Sequence, residues 1–562
     1  MRKFTLVIVS ILLTTFNSYS QVNVDVDSGG LLYISETSYV YVSGTGNVNV
    51  DTSSTPGDLV VNSTSTEYGQ LFVGGTGSTG NVEYRLSVPQ ASVVRSLVSP
   101  PVTGVTPAQL ASDNSNFANG NIPGSPADAI MFGPFDNSNT PYYYSEYSAS
   151  DNTTTLISGV GYRAGTTDGA TISFSGPLNN STTGVDLNLT VASGTQFSSQ
   201  NVVGNPYPTY LNADLIVDEI ELPANAANFV TGEVAIYGWN GTGISVNSGI
   251  SNGGNFGSTS LAGWSVINNT TPNSYLAPGQ GFALFVSAPL TLNLARTTRD
   301  VTLTGDDFIA GRPGSGSSSV QSWDKFRVNI ENESTSELIN GGELFFIDNG
   351  VDTLTRGLDE AWDAKLLGMG SIGVATVLAD DSQLTGSMHI QVMPLDDLTT
   401  NNDWVIPLSV KCNANTQYAL SLERLLGNTP GDIYLEDKLT NTFTLVSDGT
   451  SYSFTSNNPL NGTGRFYLSK NGSSLGSDDN ELTDLSVYSQ NSTDSIVIEG
   501  VLNSRTNATL FDIQGRIIIA DYKLDSSTQR NLIDVSSLSS GVYIVSLEDE
   551  NGLALSKKLV ID

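Results

Sequence analysis

The sequence predicts an all-β fold, and three observations carry that prediction. Gly accounts for 56 of the 562 residues and charged residues for only 14%, against about a quarter charged in ordinary globular chains, so hydroxyls and amides do most of the solvating. Apolar residues alternate with Ser, Thr, Asn and Asp in short runs, the period of a strand with one buried face. Clusters of Gly, Asn and Ser interrupt those runs at even intervals, where the chain turns. The architecture expected is a short β-solenoid-like N-terminal segment, then β-sandwich domains, then a C-terminal Ig-like unit.

A chain of 562 residues is long for one hydrophobic core, and about three to five domains are expected. Lys and Arg number 23 against 56 Asp and Glu, a net charge of -33, which opposes approach to phosphate backbones and anionic head groups. Nucleic acid and electrostatic membrane binding are discounted on that ground. Cys412 is the single cysteine, so stability rests on packing and sheet hydrogen bonds, not on an internal disulfide framework. With no histidine or basic cluster beside it to lower its pKa, it reads as a buried structural thiol.

Taken in order, residues 1–20 read as a secretory signal peptide. Arg2 and Lys3 precede an apolar stretch, Phe4 to Phe16, that is too short to span a bilayer, and small polar residues follow. No later stretch is apolar enough to cross a membrane, so no transmembrane segment is expected in the mature chain. Residues 21–80, opening VNVDVDSGGLLYISETSYVYVSG after Gln21, carry strands too brief to bury a face alone, which suggests stacked solenoid rungs. Ordinary hairpins are the competing reading. Residues 81–295 read as a larger β-sandwich with long loops, with strands at GVGYRAG, ATISFSG, VDLNLTV, EVAIYGW and GFALFVS. Residues 296–471 read as a second sandwich, with LDEAWDAKLLG as a helical turn or loop. The Gly/Ser-rich acidic stretch 472–481 is a linker. Residues 482–562 form a compact closing unit with turns at Gln514-Gly515 and Asn551-Gly552. This chain stops inside a strand where most domains fray, which makes its end a candidate recognition surface.

That closing unit, with TLFDIQGRIII and IDVSSLSSGVYIVSLEDENGLALSKKLVID, resembles the type A C-terminal sorting domain of proteins exported by the type IX secretion system of Gram-negative bacteria. The resemblance covers about the last eighty residues and rests on three blocks in order: Asp512, Gly515 and Arg516; Leu538, Gly541, Val542 and Tyr543; and Lys557 and Lys558. It departs at VYSQNSTDS, which lacks the Pro-Asn-Pro often found after the first strand. The resemblance implies that the tail is an address label, recognised by the outer-membrane translocon and then removed by a sortase-like protease, leaving the passenger secreted or at the cell surface. Asp512, Gly515, Arg516, Leu538, Gly541, Tyr543, Lys557 and Lys558 are the export-signal residues it implies. VVGNPYPTYLNAD, YLAPGQGFALFVSAP and GLDEAWDAKLLG are similar to blocks in β-sandwich passengers of that system.

Candidate chemistry in the passenger is sparse. His389 is the single histidine and alternates with Met388 and Ile390, which places it with Ser387 and Gln391 on a polar, solvent-facing side. A zinc site or a Ser-His-Asp triad lacks its other members. Asp359, Glu360 and Asp363 are candidates for a glycosidase-type carboxylate pair, but acids are abundant and mostly solvated, so no enzyme is expected. No cofactor is expected either; calcium in the acid-rich loops Asp348 to Asp363 or Asp478 to Glu481 stays open, without EF-hand spacing. Tyr142, Tyr143 and Tyr144, with Tyr147, Trp239 and Trp264, form a candidate ligand loop for a sugar ring or partner surface, core or loop-anchoring aromatics being the plainer reading. The function expected is a non-catalytic adhesion or structural protein of the cell surface or matrix. The alternative is a carbohydrate-binding or polysaccharide-degradation accessory protein that partners a surface glycan.

Overall fold

The computed structural model describes residues 23–561 apart from 54–57, 89–95, 180, 240–263, 273, 301–321, 349–353, 381–385, 402, 471, 473–484, 491–493, 503–504, 513–515, 540 and 551–553. The signal peptide, nearly all of the linker, the acids 478–481 and the two turns Gln514-Gly515 and Asn551-Gly552 lie outside the described residues. The fold is all-β, and among the described residues strands alternate with turns from Val24 to Ile561 with only short helices between them. The chain divides into two compact units: residues 1–320 with 359–370, and residues 321–358 with 371–562.

The first unit opens with parallel rungs. Val24–Val26 pairs in parallel with Val48–Val50, Leu31–Ile34 with Asp58–Val61, and Tyr39–Val42 with Gln70–Val73. Parallel pairing requires the chain to complete a circuit between partners, which a hairpin does not do. One side chain in two points inward, and Val26, Ile34, Val42, Val48, Val50, Leu59 and Val61 share one buried core. Asp58–Val61 then pairs in parallel with Val82–Ser87, whose other edge takes the antiparallel strand Thr171–Gly176. The solenoid core therefore runs on into the following β-domain, where Tyr84, Phe132, Tyr162 and Phe174 join the same cluster.

A second core in this unit lies under the sheet ordered Gln200–Gly204, Gly281–Phe285, Ile236–Trp239, Trp264–Ile267. Two glycines shape its entry. Gly279 sits at φ +70, a backbone conformation that costs a side chain strain, and a Cβ on Gly281 would lie 2.6 Å from the backbone carbon of Leu97. The segment Ala213–Glu221 is helical, which the strand-dominated reading did not anticipate. Asn212 caps it by accepting from the backbone N of Asp214 at 2.9 Å, and Ile216, Val217 and Ile220 bury one face against this core.

The second unit contains one long sheet, ordered Thr442–Leu445, Tyr434–Asp437, Leu460–Ser469, Val405–Cys412, Gly373–Val377, Ser387–Pro394, Glu337–Asp348, Ser322–Asn332, Gln417–Leu426, Tyr452–Thr455. One face of the sheet curls over a core that includes Phe326, Phe346, Trp404, Tyr418 and Phe466. Its two ends meet where Tyr452 Oη donates to Asp437 Oδ2 at 2.9 Å. Cys412 is buried in this core with a free thiol, and burial raises its pKa. The polar face expected around His389 is corrected here. Gln391 is fully buried, and His389 is half-buried with its pKa lowered by desolvation, within electrostatic reach of Glu343, Lys325 and Arg327. The strand Ser387–Pro394 lies in the interior of the sheet, between Gly373–Val377 and Glu337–Asp348; Ser387 and His389 keep partial exposure, while Met388 and every position from Ile390 to Met393, Gln391 included, are buried.

Candidate functional site

Residues from Leu485 onward form a small sandwich. One sheet is ordered Ser486–Gln490, Ser495–Glu499, Arg530–Asp534, and the other Ile517–Lys523, Thr506–Asp512, Gly541–Asp549, Ala554–Ile561. Alternation decides which side chains meet between them: Ala508 and Leu510 from one strand, Tyr543, Val545 and Leu547 from the next, and Leu559 and Ile561 from the last. The final hairpin is in register from Gly541↔Ile561 to Glu548↔Ala554.

The eight residues singled out from the sequence separate into two groups. Asp512, Leu538 and Tyr543 point into the structure. Asp512 is nearly buried, accepts from the Arg516 backbone N on Oδ1 at 3.0 Å and from Arg516 Nε on Oδ2 at 2.6 Å, and so closes the hairpin turn. Leu538 packs against the core, and Tyr543 Oη donates to the Ser539 carbonyl at 2.8 Å. Gly541 begins its strand, and a Cβ there would meet the Tyr543 ring at 3.6 Å and the Ser539 carbonyl oxygen at 3.8 Å, both ordinary contacts. Gly515 lies outside the described residues. Lys557 and Lys558 are exposed on the edge strand, and successive residues of a strand face opposite ways. Sequence reading passed over Phe511, Ile517 and Ile544. Phe511 is paired with Ile517 on one side and Ile544 on the other, while Ile517 is 59% and Ile544 37% exposed.

The tyrosine loop is corrected. Tyr143 is buried, with its hydroxyl accepting from the Gln196 backbone N at 3.1 Å and its ring edge-on to Phe197. Tyr144 is buried as well, beneath the Arg163 guanidinium at 5.1 Å, and Arg163 Nη2 donates to the fully buried Glu146 carboxylate at 2.8 Å. Of these three only Tyr142 is partly exposed; Tyr147 and Trp239 are partly exposed as well, and Trp264 is buried. The loop is held by its aromatics, so two of the three rings are unavailable for stacking on a ligand.

The acids around Asp359 are occupied as well. Asp363 Oδ2 accepts from the Asp359 backbone N at 2.7 Å, and Glu360 accepts from the Gly232 backbone N at 3.1 Å. Burial raises the pKa of Glu360, and it raises that of neighbouring Glu233 to about 7 against the opposing pull of Lys365, whose Nζ lies 3.9 Å away. These contacts fasten residues 359–370 within the first unit. A cavity of about 230 Å3 beside the helix Ala213–Glu221 has a single acid, Glu219, in its lining. Among the described residues no group of three or more His, Cys, Asp or Glu converges as a metal site, and no helix is long and apolar enough to cross a membrane.

The family described as "Secretion system C-terminal sorting domain" matches residues 486–562, the sandwich just described. The family described as "Domain of unknown function (DUF8693)" matches residues 11–469. No curated protein matches the chain. Among solved structures, the crystal structure of a tetra-tandem repeat in the extending region of a large adhesion protein is 13% identical, with a TM-score of 0.11, covering 53% of this chain and 88% of that one. The BSP domain of a biofilm associated protein is 8% identical, with a TM-score of 0.16, covering 86% of this chain and 96% of that one. Superpositions as loose as these carry nothing about shape or role. The chain belongs to the family described as Domain of unknown function (DUF8693), and its last strands are the C-terminal sorting domain of a protein exported by the type IX secretion system.

Proposed function

We propose that the exported passenger acts outside the cell as a non-catalytic adhesion or structural component, and that a sortase-like protease removes the sorting domain on delivery. The observation that carries this reading is the outer face of the solenoid. Tyr39 and Tyr41 stand 54% and 53% exposed on the strand Tyr39–Val42, and Leu31 and Tyr33 stand 53% and 46% exposed on the preceding strand, Leu31–Ile34, which belongs to a different sheet of the solenoid. Tyr41 stacks on Phe72 of the next rung with ring centroids 4.6 Å apart, and Arg299 covers the other end of the pair, 4.3 Å from the Phe72 centroid. Large amphipathic rings fixed on a rigid scaffold bring contact area at small entropic cost, which suits a surface that must hold to another.

The second reading, a carbohydrate-binding module, is favoured by the same tyrosines and not by the loop at Tyr142 to Tyr144, because exposed rings on a flat strand face stack on sugars and buried ones do not. One experiment bears on both. Purified full chain and the Tyr39→Ala, Tyr41→Ala variant are compared for retention on cell-surface material, with and without its polysaccharide stripped by periodate. Loss of retention in the variant supports the solenoid face; loss that also follows periodate selects the glycan reading. Equal retention of variant and parent rejects both.

A further inference from the structure

The sorting domain has to be gripped by the export machinery, and the remaining question is which part of it is held. Four-stranded sheets offer two edges and one outer face. Both edges are blunted here. At one, the strand Ile517–Lys523 pairs through two register shifts, between Ala508 and Leu510 and between Leu510 and Phe511, and bulges break the regular row of donors and acceptors that an added strand would need. At the other, Lys557 shares the inward-facing parity of Leu555, Leu559 and Ile561 on the edge strand Ala554–Ile561, and an inward-pointing charge at an edge opposes pairing with another strand.

The outer face is different. Cross-strand partners in antiparallel sheets lie on the same side, and the register places Ile517, Phe511, Ile544 and Lys558 in one row across all four strands. Three consecutive apolar side chains, with none of them in the sandwich core, end in an exposed cation. On a chain with a net charge of -33, an apolar strip rimmed by lysine is an exception to the surrounding surface, and exposed apolar strips of this kind mark interaction sites.

We propose that the row Ile517, Phe511, Ile544 and Lys558 is the docking face of the sorting domain, taken by a component of the export machinery that presents an apolar surface with a carboxylate at its rim. The proposal rests on the type IX reading of the tail. It assigns Asp512, Leu538 and Tyr543 to keeping the sheet in register, and it assigns Lys558, but not Lys557, to contact.

The full chain is expressed in a host carrying the type IX machinery, and the fraction outside the outer membrane is measured for the parent, for Ile517→Asp with Ile544→Asp, for Lys558→Glu, for Lys557→Ala, and for a chain ending at residue 481. The double aspartate variant should lose at least tenfold in exported fraction and Lys558→Glu several-fold, with Lys557→Ala near the parent. Melting of the retained proteins shows whether the sandwich is intact. Exposed sites are expected to leave it so, and if the double variant proves unfolded, Lys558→Glu decides. Truncation that blocks export, together with normal export of both the double variant and Lys558→Glu, overturns the docking face alone. Normal export of the truncated chain overturns the type IX reading beneath it.

Discussion

Arg465 and Asp437 form a two-pronged pair in the interior of the second unit: Nε reaches Oδ1 at 3.0 Å and Nη2 reaches Oδ2 at 2.8 Å, with the aspartate side chain fully buried. The guanidinium also lies 4.7 Å from the Phe466 ring and 5.0 Å from that of Phe454. Through Asp437, Tyr452 ties the terminal strand Tyr452–Thr455 to the strand Tyr434–Asp437 near the opposite end of the sheet. Removing the arginine leaves a buried charge without its partner, which costs about 3–5 kcal/mol. Arg465→Ala should therefore lower the urea midpoint of this unit sharply, and Arg465→Lys should recover only part of it, because an ammonium does not supply the planar fork. A lysine variant with the parent's midpoint would show that geometry is immaterial there.

The tyrosine loop gives a prediction that separates holding a loop from holding a ligand. Tyr144 is 4% exposed beneath Arg163 and edge-on to Phe135 at 5.2 Å. Replacing a buried aromatic by alanine costs about 3–5 kcal/mol through lost contacts and the cavity left behind. Tyr144→Ala should destabilise the first unit by an amount in that range in chemical denaturation, whereas Tyr142→Ala, at a partly exposed site, should stay within about 0.5 kcal/mol. The reverse order of effects would reinstate the loop as a surface feature.

Glu233 makes the first unit sensitive to pH in a direction that can be worked out. Burial is the leading cause of its rise from an ordinary value near 4.5 to about 7, and Glu360 adds to it. A carboxyl whose pKa is raised on folding binds its proton more tightly in the native state, so its favourable contribution is complete below about 4.5 and is lost as pH climbs through about 7. The change is on the order of 3 kcal/mol. Glu233→Gln should remove the slope between pH 5 and 8, measured as the change in denaturation midpoint against pH, at about two to three buffers within that window. His389 works the other way in the second unit. Desolvation lowers its pKa, so its contribution is present at neutral pH and fades on acidification below the histidine range. A parent and Glu233→Gln protein with superimposable profiles would rule Glu233 out as the source.

How much of this was legible in the sequence depends on whether the controlling interaction was local. Period-two alternation and turn residues are local, and the all-β class follows from them. The export tail was readable because its motif is a linear string. The helix Ala213–Glu221 was passed over although its signals were present: Asn212 at the cap, Ile216, Val217 and Ile220 at helical spacing, and Pro223 just beyond. The surrounding strand pattern outweighed them. His389 was misplaced, and Tyr144 was left between a ligand loop and a loop anchor, for a different reason. Whether a polar or aromatic residue is covered depends on Glu343, Arg327 and Arg163, which arrive from other strands, and no spacing within one strand encodes that. The row Ile517, Phe511, Ile544 and Lys558 was invisible for the same reason, since it exists only across four strands in register.

The Asp512 to Arg516 hairpin shows how a motif residue can serve export without touching the receptor. The guanidinium of Arg516 is 72% exposed, so its ion pair with Asp512 is screened by water and worth about 1 kcal/mol at most. The aspartate's other oxygen is engaged with the Arg516 backbone N–H inside the turn, while the Asp512 backbone N donates to the Arg516 carbonyl at 3.0 Å. Removing a nearly buried acceptor leaves that N–H unpaired and costs about 1–3 kcal/mol. Arg516→Ala should therefore leave hydrogen exchange of the Thr506–Lys523 segment close to the parent's, and Asp512→Ala should accelerate it severalfold. Export should follow the exchange result, falling with Asp512→Ala because the strand carrying Ile517 loses its fixed register with Phe511. Rapid exchange in Arg516→Ala with slow exchange in Asp512→Ala would place the motif's importance in the guanidinium, and with it a direct role for Arg516 in recognition.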